Sequence, residues 1–287
     1  MSVKKSKSRK VRRAAGNIVS YIFYIAIGIV FLFPIYCLVI KSVMPDDQLL
    51  KAPSLWPDYL NLEPYVKAVS PEYLKYLFNT LLVCFSNILA VCISASFCAY
   101  GLAKVYFKGK KFMFGLIMAT VLLPGTVTSI PLYSIYLNMG WTGTLLPLTI
   151  PVWFGGGAMN IFLIRQFIKG IPDSYCEAAI IDGASSFKIY RSIILPLVKP
   201  ILCYLAIMTF IGQWNDFQSP LMYVSSNQEK WTLSLALYKN FADAANATNL
   251  PNVQMAVGVL MMIPCVLLYA FFQKELTEGV SAVGIKG

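Results

Sequence analysis

Long apolar stretches dominate the chain and alternate with short charged segments. Ile18–Ile40, Tyr76–Ala103 and Phe112–Ile164 contain no charged residue. A membrane helix needs about 20 predominantly apolar residues, so the third stretch is too long for one crossing. Its N-M-G-W-T-G segment at residues 138–143 is typical of a tight turn between two helices. The pattern predicts six membrane-spanning helices, at about residues 18–40, 76–103, 112–137, 144–164, 200–223 and 253–273.

The charged residues between these stretches predict an orientation. With both termini in the cytoplasm, the cytoplasmic segments hold 18 of the 24 Lys and Arg residues, and the other side holds 8 of the 13 acidic residues. Short cytoplasmic loops are enriched in positive residues. The N-terminal pattern also resembles a secretion signal, but 23 apolar residues are long for one and no A-x-A site follows. We therefore expect six helices with both termini cytoplasmic.

Composition agrees with a bilayer protein. The chain is 57% hydrophobic and 13% charged, against about 25% charged residues in soluble domains. The formal net charge of +11 follows from the predicted topology, so the expected partner is the lipid bilayer and no nucleic acid. The prediction is an all-α integral membrane protein with a basic cytoplasmic N-terminus at 1–17, one transmembrane domain at 18–273 and a cytoplasmic C-terminal tail at 274–287.

Several kinds of chemistry are excluded by the residues. The chain has no histidine, and its 7 cysteines show no C-x-x-C spacing, which argues against a metal site, a His-dependent catalytic site and a disulfide framework. It has no G-x-x-x-x-G-K-[ST] loop for nucleotide phosphates. We expect no catalytic residue, no metal and no bound cofactor, so any ATP that drives this protein is hydrolysed on another chain.

Two polar or flexible segments fall inside the predicted helices. Asp216 lies near membrane depth in the sequence W-N-D-F, and carboxylates there are costly and usually face a polar cavity. The alternative is that Asp216 reaches the outer interface beside Trp214, within the aromatic belt. The run Gly155–Gly157 in the fourth helix favours close helix packing over local flexibility.

A charged hairpin is predicted at residues 171–199. Ser174 and Glu177 match a capping box, so a helix is expected to begin at Ser174. Gly183 suits the left-handed position that ends a helix, and Ser185 or Ser186 can cap a second helix that stops near Pro196. These residues alone fit either an amphipathic loop on the lipid surface or a docking element for another protein.

The hairpin resembles a known motif. Glu177-Ala178-Ala179, three residues, Gly183, nine residues and then Ile193-Ile194-Leu195-Pro196 fit E-A-A-x₃-G-x₉-I-x-L-P, the cytoplasmic loop of binding-protein-dependent ABC importer permeases. Further segments resemble the carbohydrate-importing, maltose-permease-like branch, namely Asn79-Thr80, Leu123-Pro124, Pro131-Leu132-Tyr133, Phe162–Phe167, Trp214–Phe217 and, as an imperfect copy of the usual ending, Gly279–Gly287.

The resemblance implies a transport mechanism and a set of partners. A second permease, usually a different one, shares the pathway; two ATPase subunits bind ATP and Mg²⁺; and an extracytoplasmic binding protein delivers a sugar or oligosaccharide. The protein would lie in the cell membrane of a prokaryote. The resemblance implies roles for three groups of residues: coupling to an ATPase subunit for Glu177, Ala178, Ala179, Asp182, Gly183, Ala184, Ile193, Leu195 and Pro196; tail contact with the ATPase subunits for Gly284, Lys286 and Gly287; and a possible translocation pathway for Trp214, Asn215 and Asp216.

Three alternatives remain beside this interpretation. Permeases for peptides and phosphate share the hairpin motif, so a non-sugar solute is one. A stand-alone secondary transporter or channel needs coupling carboxylates in its spans, and Asp216 is the single candidate. An intramembrane enzyme is disfavoured by the absence of histidine and of paired catalytic residues.

Overall fold

The computed structural model describes residues 2–49, 54–242 and 251–284 and is helical throughout, with no strand in these ranges. The chain divides into two compact units, the first with residues 2–69 and 251–261 and the second with residues 70–242 and 262–284 among those described. The first unit contains α1 (Ser2–Ser42), α2 (Asp46–Leu49) and α3 (Glu63–Ala68), together with the start of α16 (Pro251–Gly284). The second unit contains the rest of α16 and α4 (Pro71–Ala90), α5 (Ser96–Ala103), α6 (Lys110–Val121), α7 (Gly125–Asn138), α8 (Leu146–Thr149), α9 (Ala158–Lys169), α10 (Ser174–Ile181), α11 (Ser186–Ile189), α12 (Leu195–Leu197), α13 (Lys199–Asn215), α14 (Gln218–Val224) and α15 (Leu233–Ala242).

Four helical stretches of the described chain are each long and apolar enough to cross a membrane: Ser20–Ser42, Pro71–Ala103, Leu146–Lys169 and Pro251–Gln273. Two bent pairs pass the same test together. α6 and α7 meet at 100°, and Ser186–Leu197 meets α13 at 74°. The structure therefore contains four to six candidate spans, depending on whether each bent pair makes one crossing.

Three of the predicted spans are interrupted. The helix expected over 144–164 is divided at residues 154–157, which lie between a 3₁₀ turn at Ile150–Trp153 and α9. Gly155, Gly156 and Gly157 have φ values of 105°, 68° and 93°, in the left-handed region that glycine readily adopts. The helix expected over 112–137 breaks between α6 and α7, where Pro124 precedes α7 with an extended ψ of 130°. Proline donates no backbone hydrogen bond and disfavours helix at the residue before it. The helix expected over 200–223 ends at Asn215, because Asp216 is extended and its carboxylate accepts a hydrogen bond from the Ser219 N–H at 3.1 Å. A local side-chain bond of this kind competes with helix continuation.

The remaining spans depart from the pattern in smaller ways. The 76–103 helix begins earlier, at Pro71, and contains a π turn at Val91–Ala95. The predicted turn at 138–143 is present, with Gly140 and Gly143 at φ values of 67° and 78°. The last helix continues past the predicted span to Gly284, with non-helical angles at Phe272. The tail predicted from residue 274 therefore begins as helix.

The first unit is built on α1, whose central residues expose large apolar side chains, including Phe31 at 73% and Val30 at 69%. This surface suits lipid contact, since soluble monomers rarely expose such a patch. The segment after α1 is held by polar contacts: the Ser42 hydroxyl lies 2.7 Å from the Tyr65 hydroxyl, and the Gln48 amide donates to the Trp56 carbonyl at 2.8 Å.

The second unit has its main core among α5, α9, α11, α13 and the two π turns, with Ala95, Ile164, Ile194 and Val198 fully buried. In the first half of α4, the Asn79 amide donates to the carbonyls of Glu229 and Trp231 at 3.0 and 2.9 Å. The Thr80 hydroxyl accepts from the Leu233 N–H at 2.9 Å. This pair therefore holds the segment before α15 against α4.

Candidate functional site

The candidate site is the hairpin formed by α10, the turn at Gly183 and α11. Gly183 has a φ of 76°, and its N–H donates to the Ile180 carbonyl while the Ala184 N–H donates to the Ala179 carbonyl, both at 2.9 Å. These two bonds form a Schellman motif, which favours glycine at the left-handed position. Ser185 then caps α11, since its hydroxyl accepts from the Lys188 N–H at 3.3 Å. The predicted helix-turn-helix is therefore present.

The start of α10 differs from the expected capping box. The residue before the helix is Asp173, and neither it nor the helix start shows a side-chain cap. Instead, the Asp173 carboxylate accepts a hydrogen bond from the Lys104 ammonium at 2.5 Å, and Lys104 also donates to the Ile171 carbonyl at 2.6 Å. The ammonium holds the pKa of Asp173 below its ordinary value. The first limb of the hairpin is thus tied to the end of α5 by Lys104.

The second limb is anchored by Tyr190, the first residue of a π turn at Tyr190–Ile194. Its hydroxyl lies 2.7 Å from that of Ser96, the first residue of α5, and both side chains are buried. The Tyr190 ring also packs edge-on against Phe97 at 5.4 Å between centroids and against Tyr100 at 5.5 Å. The π turn ends at Ile194, two residues before Pro196, whose ring removes the backbone N–H that a regular helix would use.

The predicted coupling residues divide between an outer and an inner face. Glu177, Ala178, Asp182 and Gly183 are exposed. Ala179, Ala184, Ile193 and Leu195 are half-buried and pack against the core, while Pro196 is exposed.

The outer face also carries large apolar side chains that the motif does not include. Ile181 is 86% exposed, Ile180 61%, Phe187 59% and Tyr175 55%. The hairpin therefore presents an outer surface of mixed character, with large apolar side chains beside Glu177 and Asp182, on a base fixed to the core.

The pathway candidates lie at the end of α13. Trp214 is buried and stacks on Phe210 at 5.3 Å between centroids, which places it inside the unit rather than in an exposed aromatic belt. Asn215 is exposed and donates to the Ile211 carbonyl at 2.8 Å, while the Asp216 carbonyl accepts from the Ser234 hydroxyl at 2.5 Å. The pathway role of these three residues stays a prediction.

The tail candidates fall at the limit of what the structure describes. Gly284 is the last residue of α16. Lys286 and Gly287 lie outside the described residues, so their predicted contact with the ATPase subunits stays a prediction. No group of Cys, Asp or Glu within the described ranges is arranged to hold a metal ion.

A cleft of about 520 Å³ opens in the same unit. Its walls come from α4 and its π turn, from the segment before α9, and from α13. Gly156 makes the closest approach: a Cβ built on it would lie 2.6 Å from the Ala95 Cβ and 3.2 Å from the Val91 Cα. The Gly155 N–H donates to the Ser94 hydroxyl at 2.7 Å. The expectation of close packing is confirmed at Gly156.

Comparison with known proteins gives the family. Residues 92–281, which include the whole hairpin, match the family described as "Binding-protein-dependent transport system inner membrane component". The chain belongs to this family. With its apolar helices, this membership makes it a permease and a multi-pass protein of the plasma membrane.

Individual relatives of this permease match over nearly their whole length. The chain is 28% identical to the arabinooligosaccharides transport system permease protein AraQ of Bacillus subtilis, over 93% of this chain and 94% of that protein. It is 25% identical to the diacetylchitobiose uptake system permease protein NgcG of Streptomyces coelicolor, over 95% and 92%. It is 29% identical to the sn-glycerol-3-phosphate transport system permease protein UgpE of Brucella abortus, over 93% and 97%.

A solved structure supports the same fold. A chain from the crystal structure of a bacterial ABC transporter involved in the import of the acidic polysaccharide alginate matches this permease with a TM-score of 0.79 and 22% identity, over 91% of this chain and 96% of that chain. The chain therefore has the ABC importer permease fold.

Three anchoring residues of this permease were missed by the sequence reasoning: Ser96, Lys104 and Tyr190. Lys104 is one of the 18 Lys and Arg residues predicted to be cytoplasmic, and no local pattern distinguished it from the others, although its ammonium makes both contacts at the hairpin base. Tyr190 was the available signal, because a tyrosine hydroxyl that becomes buried usually has a hydrogen-bond partner. Its partner Ser96 is 94 residues away in sequence, and no local pattern connects the two.

Proposed function

We propose that this chain is one of two permease subunits of an ATP-driven importer of sugars or oligosaccharides. In this proposal it crosses the cytoplasmic membrane six times with both termini inside. A second permease completes the pathway, two separate subunits bind Mg²⁺ and hydrolyse ATP, and an extracytoplasmic binding protein delivers the solute. The Lys and Arg distribution supports the orientation, and relatives named for arabinooligosaccharides and diacetylchitobiose support the solute class.

The observation that carries the proposal is the hairpin, which combines an exposed outer face with a fixed base. Exposed apolar side chains such as Ile181 and Phe187 favour burial against another protein. Small residues beside them, Ala178 and Gly183, allow close approach of that surface. We infer that an ATPase subunit covers this face.

The base explains how movement of an ATPase subunit reaches the membrane helices. Lys104 ties the first limb to the end of α5, and Tyr190 ties the second limb to Ser96 at the start of α5. Both limbs therefore attach to the same helix, at its two ends. A displacement of the hairpin has to move α5 or break these contacts. The hairpin therefore transmits the movement of an ATPase subunit to α5.

The experiment is a co-purification with matched substitutions. The tagged permease is expressed with the neighbouring genes of its operon, as Gly183→Trp, Gly183→Asn and Gly109→Trp. Gly183 has a φ of 76° and Gly109 a φ of 85°, and a Cβ at either position meets no atom within 4 Å. Asn tolerates positive φ better than other residues, so it tests the turn without added bulk, and Gly109→Trp tests the bulk away from the hairpin.

We expect all three variants to insert in the membrane. Gly183→Trp should lose both the ATPase subunits and ATP-dependent uptake, whereas Gly183→Asn and Gly109→Trp should retain them. If the Gly183→Trp complex kept its ATPase subunits and transported at the wild-type rate, the docking role of the hairpin would be wrong. Ligand titration of the binding protein encoded beside this permease tests the solute class, and a protein that binds no sugar would contradict it.

A further inference from the structure

The cleft in the second unit has the size and lining of a small-molecule site. Its volume of about 520 Å³ falls within the range of about 300–1,000 Å³ typical of such sites. Phe154, one of its walls, is 84% exposed. Apolar walls that carry a few convergent polar groups are the usual composition of a ligand site.

The polar groups in the cleft are neutral. Three amide side chains, from Asn87, Asn160 and Gln213, and the hydroxyl of Thr209 belong to its lining. Asn87 is 1% exposed, and its amide nitrogen donates to the Leu148 carbonyl at 3.0 Å. Its side-chain oxygen is buried and has no hydrogen-bond partner among the described residues. A buried acceptor without a donor costs free energy, and a ligand donor in the cleft would supply one.

None of the described residues that line the cleft carries a charge. A ligand anion here would lose hydration without gaining a partner cation, which is unfavourable. Sugar hydroxyls both donate and accept, as amide side chains do, and the C–H faces of a sugar ring suit the Phe154 ring. We propose that this cleft binds a neutral sugar ring on its way through the importer. The inference rests on the proposed function and adds that this chain itself holds part of the solute.

The test uses the complete complex in proteoliposomes, with its binding protein, and compares two cleft substitutions with two controls. Gln213→Leu removes a polar group and Phe154→Ala removes the ring. Gln166→Leu on α9 and Phe112→Ala on α6 make the same chemical changes at exposed positions outside the cleft lining. The probes are maltotriose, arabinotriose and diacetylchitobiose as neutral sugars, and sn-glycerol 3-phosphate and an alginate trisaccharide as anions.

We expect the wild-type complex to import a neutral probe and neither anion. Gln213→Leu should slow uptake of that sugar about three- to tenfold, as for loss of one neutral hydrogen bond, and Phe154→Ala should slow it also. ATP hydrolysis stimulated by the loaded binding protein should persist in both variants, which shows that the complex is assembled. Both controls should transport as the wild type does.

The outcomes separate this inference from the proposed function. If the wild-type complex imports a neutral sugar and the cleft variants import it as fast as the control variants do, the sugar does not bind in this cleft. Import of the anions alone would overturn the neutral ligand class, although the importer itself would stand. A wild-type complex that lacks ATPase subunits, or whose uptake does not depend on ATP, would overturn the proposed function and this inference with it.

Discussion

The close contact at Gly156 provides the sharpest test of the packing, and Gly156→Ala is the perturbation. A Cβ at this position would lie 2.6 Å from the Ala95 Cβ and 3.1 Å from the Ala95 backbone nitrogen. Neither atom belongs to the end of a flexible side chain, so the π turn at Val91–Ala95 would have to move. Gly140→Ala is the matched control, because Gly140 has a φ of 67° against 68° for Gly156 and its Cβ meets nothing within 4 Å.

The expected difference in stability follows from a comparison of the two variants. A left-handed alanine costs about 1–2 kcal/mol, and the smaller entropy of the unfolded alanine chain offsets about 0.4–1 kcal/mol of that. Both terms apply equally to Gly140 and Gly156 and cancel in the comparison. Overpacking adds about 1–3 kcal/mol at Gly156 alone. With about 2–4 °C per kcal/mol for a domain of this size class, the two variants should differ by about 2–12 °C in melting temperature.

The assay is thermal unfolding of each assembled complex in detergent, followed by fluorescence-detected size-exclusion chromatography after heating. Gly156→Ala should melt below Gly140→Ala by the stated interval and should also lower sugar uptake, since Gly156 forms part of the cleft wall. Equal melting temperatures for the two variants would refute the reasoning, because the close approach of Gly156 to the π turn would then carry no steric cost.

Three further predictions concern the base of the hairpin. Tyr190→Phe and Ser96→Ala should each lower the stability of the complex, and a double-mutant cycle in the same melting assay should give a coupling free energy of about 0.5–1.5 kcal/mol; a coupling of zero would show that the 2.7 Å contact has no energetic role. Lys104→Met should speed hydrogen exchange in residues 171–184 more than Asp173→Asn, since Lys104 also donates to the Ile171 carbonyl; equal effects would contradict that second role. The pKa of Asp173 is lowered by the Lys104 hydrogen bond, so the contact is present above the ordinary Asp pKa of about 3.9 and is lost as pH falls through the lowered value. The protection of this segment from hydrogen exchange should therefore be the same at pH 5 and at pH 7. A loss of protection between these two values would contradict the prediction.

The hydrophobic pattern predicted the features that depend on local sequence. The apolar stretches, the turn at 138–143 and the left-handed Gly183 need only residue type and spacing. The breaks at Pro124 and Asp216 also have local causes, but each occurs inside a stretch whose overall hydropathy is that of a membrane helix. Mean hydropathy over a window does not respond to one lost N–H or to one carboxylate that accepts a backbone N–H of the next helix, so the pattern predicted continuous helices at both places.

The cleft could not be predicted from the hydrophobic pattern, for a different reason. Its polar groups come from positions 87, 160, 209 and 213, on three helices. Each is a single amide or hydroxyl within an apolar helix, where the sequence alone is equally compatible with a bond to the helix's own backbone. Only the packing of α4, α9 and α13 brings these residues together, and that packing depends on Gly156 because a larger residue would hold the segment before α9 away from the π turn.

A continuous set of contacts joins the hairpin to this cleft. Tyr190 in the second π turn meets Ser96, which directly follows the first π turn. Within that first turn, Ser94 accepts the hydrogen bond from the Gly155 N–H, and Ala95 packs against Gly156. A π turn replaces regular helical hydrogen bonds over a short stretch and is frequent at functional sites. A displacement of the hairpin that moves Ser96 and the start of α5 would therefore also move the adjoining π turn against the cleft wall, and Tyr190 and Gly156 lie at the two ends of that set of contacts.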